Sequence, residues 1–301
     1  MTRVADYCAP GAAENANGGQ PRAGTPDAGQ AAAEPFVPFE AIPGAVSTGW
    51  LILCDHASNR LPAEYGDLGL PPEEFERHIA YDIGAEAVTR RLARDLGAPA
   101  VMSRFSRLLI DPNRGADDPT LVMRLSDGAV VPGNARIDEA EKQKRIAAFY
   151  EPYHQAVTAA IDTAIASGHP PAIVSIHSFT PFWRGTRRPW EIGILWDSDP
   201  RLAVPMIEAF SADPLLTVGD NEPYSGRLKG DTMYRHATQR GLSHALVELR
   251  QDLIAEEPGQ AEWAGRLADV LSDLAGIAGL NEIRHDDVPV PVTPSESGGE
   301  R

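Results

Sequence analysis

The run Trp50-Leu51-Ile52-Leu53-Cys54 is apolar without interruption, has the length of a β-strand, and breaks off into Asp55-His56-Ala57-Ser58-Asn59-Arg60 ahead of Pro62. A strand that is apolar at every position is buried on both faces, which calls for an open sheet covered by helices rather than a half-solvated antiparallel sheet. In open α/β sheets the carboxyl ends of such strands face a crevice where ligands bind. Two further stretches have the same build. Ala172-Ile173-Val174-Ser175-Ile176-His177-Ser178-Phe179 carries a histidine and a serine near its end, and Ala245-Leu246-Val247-Glu248-Leu249-Arg250 carries a glutamate. Three buried strands bearing His, His and Glu suggest two metal ligands and a general base.

The 301 residues suffice for one large α/β domain, and 43% hydrophobic with 23% charged residues is ordinary for a globular chain. A formal net charge of -16 argues against binding nucleic acid, since no basic excess exists to neutralise phosphates. A small anionic substrate remains compatible, because local arginines outweigh a diffuse negative field. The two cysteines, Cys8 and Cys54, form neither a disulfide framework nor a zinc motif. With no apolar leader near Met1 and no run approaching the ~18 apolar residues of a membrane span, the expectation is a cytoplasmic protein that needs no membrane. Nothing in the sequence speaks to oligomeric state.

Residues 1–44 are rich in Ala, Gly, Pro, Asn and Gln, and residues 283–301 in Pro, Ser, Gly and acidic groups, so both read as disordered tails around a domain at 45–282. Inside the domain, Glu73–Gly97 has near-helical spacing of Ile83, Val88, Leu92 and Leu96 and reads as helix, with Asp82 early in it as a solvated, capping or functional carboxylate. Ala100–Ser103 and Leu108–Ile110 read as strands. Asn113 and Arg114, after Asp111-Pro112, form either a carboxylate clamp or a salt-bridged surface turn. Residues 115–136 read as a long loop. Glu139–Ser167 reads as helix, kinked or divided at Pro152, with His154 most simply structural. Phe182, Trp183 and Trp190 with Arg184, Arg187 and Arg188 make a basic aromatic connector, either solvated or a rim attracting an anion. Glu191–Asp197 reads as strand, Leu202–Phe210 as helix, Asn221–Gly226 as a turn-rich loop holding Tyr224, Thr232–Arg240 as helix and Gln260–Ile277 as the closing helix. Glu248 is either a functional carboxylate or the ion-pair partner of Arg250.

Zinc hydrolases use two or three His or carboxylate ligands, an open coordination position and a carboxylate base. His56, His177 and Glu248 supply those types from separate elements, in the absence of any compact H-E-x-x-H motif. Ser178, beside His177, is placed to orient a ligand or to touch substrate.

The ordered series Asp55–Pro62, Tyr81-Asp82, Ser106–Arg114, Ile176-His177-Ser178 and Val247–Leu253 resembles the N-formylglutamate amidohydrolase family, over about residues 48–278. The resemblance implies an α/β fold with a mixed central β-sheet flanked by helices on both faces, like zinc carboxypeptidases and aspartoacylase. It implies a hydrolase of linear amide bonds using Zn²⁺ or another divalent metal, held by His56 and His177. Relatives with the carboxypeptidase fold carry His-x-x-Glu where this chain has His56 and Asn59. Asp82 is then the preferred third ligand, because a carboxylate binds zinc better than an amide oxygen, and Asn59 is the alternative. The resemblance further implies Glu248 as general base, Arg107 as polariser of the scissile carbonyl, and Asn113 and Arg114 as holders of a substrate carboxylate; Ser178, beside His177, and Tyr224, in its loop, are expected as further substrate contacts. The substrate implied is a small anionic N-acyl amino acid, N-formyl-L-glutamate first. Many members open the first motif with Pro-His-Ala/Ser-Gly, and Asp-His-Ala-Ser here leaves other acyl groups open. A carboxypeptidase-like or deacylase activity, or a non-catalytic binding protein on the same fold, are the alternatives.

Overall fold

The computed structural model describes residues 36–285. Its frame is a seven-stranded mixed sheet. In chain order the strands and hairpins are β1 (Phe39–Ile42), β2 (Trp50–Cys54), β3 (Ala100–Ser103), the hairpin β4 (Leu125–Ser126) and β5 (Ala129–Val130), β6 (Ala172–Phe179), the hairpin β7 (Phe182–Trp183) and β8 (Thr186–Arg187), β9 (Ile192–Leu195), β10 (Val218–Asp220) and β11 (His244–Arg250). The sheet order is β1-β3-β2-β6-β11-β9-β10. Strands β3, β2, β6 and β11 are parallel, while β1 and the pair β9–β10 run against them. This is the expected α/β class with a mixed sheet.

The helices are α1 (Ala85–Leu96), α2 (Glu139–Arg145), α3 (Glu151–Ala166), α4 (Pro200–Ser211), α5 (Thr232–His236), α6 (Gln251–Ile254) and α7 (Glu257–Leu274). They cover both sheet faces, and strand alternation decides which residue goes where. Trp50, Ile52, Val174, Ile176, Val247 and Leu249 point to one face, where Val88 and Leu92 of α1, Met206 of α4 and Leu267 of α7 pack on them. Leu51, Leu53, Ile173 and Leu246 point to the other, against Tyr153, Val157 and Ile161 of α3. Each such fully buried side chain contributes about 1.5–3 kcal/mol. A charged replacement of Val247, which is wholly enclosed, would break the sheet at its centre.

The structure differs from the sequence reading at several places. Strand β1 lies inside the expected tail 1–44: Phe36 and Phe39 pack on the α3 face, and Glu40 pairs with Arg90 and Arg104, which ties down an otherwise unremarkable segment. At the other end, Arg284 donates its backbone N–H to Gly241, two residues past the expected boundary at 282. The remaining tail residues, 1–35 and 286–301, lie outside the described residues. The helix expected over Glu73–Gly97 is a 3₁₀ turn at Pro72–Glu76, irregular backbone, and then α1. Gly84 separates the two parts with φ of 82°, and a side chain there would collide with the Ile254 carbonyl. Leu108–Ile110 is fully buried but turn-like rather than a strand. The loop 115–136 contains the β4–β5 hairpin. The helix around Pro152 is divided as expected, with a π-turn at Ile146–Tyr150 joining α2 to α3. Among the described residues no helix is long and apolar enough to cross a membrane.

Candidate metal centre and active site

The site lies on the α3 face, at the carboxyl ends of β2, β6 and β11. His56 follows β2 by two residues, His177 is on β6, and Glu248 sits opposite His177 in the β6–β11 register. Asp82 arrives from the irregular segment before α1, held there because its backbone N–H donates to the His56 carbonyl at 2.9 Å. Helical backbone across this segment would withdraw it.

His56, Asp82 and His177 each bring one donor atom into a group whose members lie within 4.8 Å of one another. His177 Nδ1 is 2.8 Å and His56 Nδ1 3.3 Å from the same oxygen of Asp82. The opposite ring nitrogens are fixed by other carboxylates. His56 Nε2 donates to Asp111 at 2.7 Å and His177 Nε2 to Asp55 at 3.0 Å. That leaves both Nδ1 lone pairs turned inward, free to take a proton or a metal ion, and a carboxylate behind each ring is how metal-ligating histidines are oriented. The donor set therefore fits a divalent metal of the zinc type, with two imidazoles and one carboxylate.

These supporting carboxylates are themselves bound on all sides. Asp55 accepts from Tyr153 at 2.8 Å, Ser175 at 2.9 Å and Thr232 at 2.6 Å as well as from His177. Burial alone would raise its pKa, but the His177 hydrogen bond and the nearby imidazoles outweigh it and hold the carboxyl well below the usual range. Asp111 accepts from Arg107 Nη2 at 2.8 Å and from the Asn113 backbone at 2.9 Å, and it too is held low against burial, by Arg107 and His56. In turn, burial disfavours charge on His177, yet its bonds to Asp55 and Asp82 raise its pKa well above the ordinary value.

Glu248 presents the opposite case. It is 7% exposed, and its Oε2 is enclosed with no hydrogen-bond partner among the described residues. Burial pushes its carboxyl up to about 7. Its alternative role as partner of Arg250 does not hold, because Arg250 pairs with Glu191 and Asp252, each at 2.8 Å. Gly193, its register partner on β9, has no side chain because the Glu222 carbonyl occupies that space, which brings the Tyr224 loop over the site.

A cavity of about 340 Å³ joins these groups and is lined by every expected site residue except Asn59. Asn59 turns its amide to the Phe75 carbonyl at 2.9 Å, which leaves Asp82 as the carboxylate beside the histidines. Arg107 lines the cavity with Nη1 at 3.5 Å from Asp82 while its other nitrogens hold Asp111. Asn113 spends its side-chain oxygen on the Thr232 backbone, and Arg114 keeps Nε enclosed, without a hydrogen bond and 3.9 Å from the Asp111 carboxylate. Ser178 donates its hydroxyl to the Ile83 carbonyl at 2.9 Å, so it braces the Asp82 segment as well as lining the cavity. Tyr224 accepts from Arg188 at 3.1 Å.

Sequence reasoning gave no site role to Asp55, Asp111 and Ser175, which bond the histidines, or to Tyr153, which bonds Asp55. Asp55 and Asp111 stand in the motif strings already, and Ser175 shares the face of His177 two residues away, so the period-2 rule offered a signal for one of them. Asp231, buried in the cavity wall at 5% exposure and pushed up to about 7 by burial, gave no signal.

The family model for N-formylglutamate amidohydrolase matches residues 48–255. A gene product of Agrobacterium tumefaciens, of known crystal structure, is 38% identical over 79% of this chain and 94% of its own, with a TM-score of 0.74. The crystal structure of N-formylglutamate amidohydrolase from Ralstonia eutropha shares the fold, at 22% identity over 80% of this chain and 97% of that one, with a TM-score of 0.58. No curated protein matches. With the family model spanning most of the described fold, this chain belongs to the N-formylglutamate amidohydrolase family, hydrolases of linear amide bonds.

Proposed function

We propose that this protein is a metal-dependent amidohydrolase of the cytoplasm that cleaves an N-acyl amino acid, with N-formyl-L-glutamate, yielding formate and L-glutamate, as its first candidate substrate. The observation that carries the reading is the convergence of His56 Nδ1, His177 Nδ1 and the Asp82 carboxylate in the cavity that also holds Glu248 and Arg107. Zn²⁺, or another divalent metal, would be held by His56, His177 and Asp82. When bound, it supplies Lewis-acid activation of water and of the scissile carbonyl.

The chain's own groups do the rest. Glu248, lacking any hydrogen-bond partner at Oε2, takes the proton of the attacking water and passes it to the departing amide nitrogen. Its raised pKa matches both halves of that task. Arg107 has its guanidinium at the cavity wall, where it favours negative charge developing on the acyl oxygen. Asn113 and Arg114 hold the substrate carboxylate, Arg114 by the Nε that makes no hydrogen bond within the described residues. Tyr224 closes over the substrate from the loop above.

The test is elemental analysis of purified wild type and His177→Ala, with formate release from N-formyl-L-glutamate assayed on the same samples. About one metal ion per chain in wild type, lost together with formate release in the variant, is the expected result. Metal without formate release would keep the chemistry and move the substrate to another N-acyl amino acid. No metal in either sample would overturn the reading in favour of a binding protein on this fold.

A further inference from the structure

Arg188 is the one residue of the basic aromatic connector that is buried: Phe182, Trp183, Arg184 and Arg187 around it are exposed, while Arg188 is 7% exposed. Its guanidinium lies 5.5 Å from the ring centre of Phe179, 5.4 Å from Trp183 and 5.1 Å from Tyr224. All three rings line the cavity of the active site. A buried cation ordinarily has a carboxylate beside it, but Arg188 pairs with none among the described residues. What hydrogen bonds it makes all use Nη1, to the Tyr224 hydroxyl at 3.1 Å and to the Thr180 carbonyl and hydroxyl, both at 3.3 Å. Nε and Nη2 have no partner among the described residues, and neither is sealed off from open space. The edge left open is the Nε–Nη2 fork, whose two parallel N–H groups match the two oxygens of a carboxylate. Aromatic faces hold the plane of the fork, and they keep water from screening it.

From this geometry we infer that Arg188 is the receptor for a second carboxylate of the substrate, so that the enzyme selects N-acyl amino acids with an acidic side chain. The inference rests on the amidohydrolase reading above and adds a division of labour to it. Arg114 and Asn113 take the carboxylate on the carbon bearing the amide, and Arg188 takes the one at the far end of the side chain. An apolar or amide side chain would leave the fork unpaired in its aromatic surround, which is where discrimination arises. Arg184 and Arg187, exposed on the same connector, have no such enclosure and confer no selection.

The experiment is steady-state kinetics of wild type, Arg188→Met and Arg188→Lys on N-formyl-L-glutamate and N-formyl-L-glutamine, with calorimetric titration of glutarate into the same proteins. The two substrates differ only in whether the side chain ends in a carboxylate or its amide. The expected result is that the ratio of kcat/KM for the glutamate over the glutamine compound falls about 10- to 100-fold in Arg188→Met, the factor for losing a charged hydrogen-bonded pair. Arg188→Lys, with the charge but without the fork, falls between, and glutarate affinity follows the same order. A merely structural role would lower both substrates together, and that outcome, or an unmoved ratio, overturns the inference. If wild type releases formate from neither compound, the choice of a formyl substrate has failed and the glutarate titration decides separately. Glutarate bound by wild type and weakened about 10-fold or more in Arg188→Met keeps the carboxylate receptor; equal binding by the two proteins, or none by wild type, overturns it.

Discussion

The floor and the wall of the cavity are built on opposite principles. On the floor, His56, His177, Asp55 and Asp111 have their polar atoms matched: each ring has a carboxylate behind it, and Asp55 alone gathers four donors. On the wall, Glu248 and Arg114 each leave an enclosed atom without a partner. Buried polar atoms are matched in native proteins almost everywhere, and of the seven enclosed side-chain atoms without a hydrogen-bond partner among the described residues these two face the cavity, where a ligand can supply the missing partner. The floor is pre-organised and rigid, and its cost is met within the fold. On the proposed function the wall is completed when substrate arrives. Mutations should therefore act on stability and metal content below, and on turnover and KM above.

The largest effect should come from Asp55→Ala. It strands the Tyr153, Ser175 and Thr232 hydroxyls and the Nε2 of His177, all buried, and a cost of about 3–5 kcal/mol or failure to fold is expected from urea unfolding. A loss below about 1 kcal/mol would show that the floor is not the matched network described. Next in size is Glu248→Gln, which should lower kcat by about 10²- to 10⁴-fold while metal content and stability hold. Removing a desolvated carboxyl with no partner costs the fold nothing. Loss of metal in this variant would move Glu248 from wall to floor. The pH profile sharpens the point. A base works only when deprotonated, so wild-type kcat/KM should rise with pH through the Glu248 titration, and not fall. That limb lies at or below about 7, since burial raises the carboxyl to that value and a bound cation pulls it down.

The same contrast explains what could be read without coordinates. Strands β2, β6 and β11 were legible because full burial writes a continuous apolar run, and the His and Glu residues near their ends stood out because such groups are rare in buried strands. The Asp82 segment was read as helix because its apolar spacing fits one. What overrides that spacing is non-local, namely the Asp82–His56 and Arg107–Ala80 backbone bonds and the close approach of Ile254 to Gly84. Leu108–Ile110 shows that an apolar triplet reports burial rather than conformation. Strand β1 has only four residues and is secured from outside by Arg90 and Arg104, so its own sequence carries little signal. Asp55 and Asp111 stood in view as acidic residues, but which carboxylate backs which imidazole depends on how three strands and a turn meet.

A smaller effect is expected at Arg114, on the wall. Arg114→Ala should raise KM for the acyl amino acid about 10- to 100-fold with the melting temperature nearly held, because its Nε makes no hydrogen bond and loses only a long ion pair with Asp111 at 3.9 Å. An unchanged KM would remove Arg114 from the site.

The smallest effect should be Tyr153→Phe. It deletes one of the four donors to Asp55 and leaves the ring packed against α3's neighbours, so no cavity opens. Asp55 keeps Ser175, Thr232 and His177, and its other oxygen still anchors the imidazole at 3.0 Å. The expected loss is about 0.5–1.5 kcal/mol in urea unfolding, the net worth of one hydrogen bond, with metal content retained. The variant separates two accounts of the floor. If its donors act independently, the loss stays in that range. If they polarise one another through the shared carboxylate, the loss exceeds it, and combining Tyr153→Phe with Ser175→Ala should cost more than the two single changes added together.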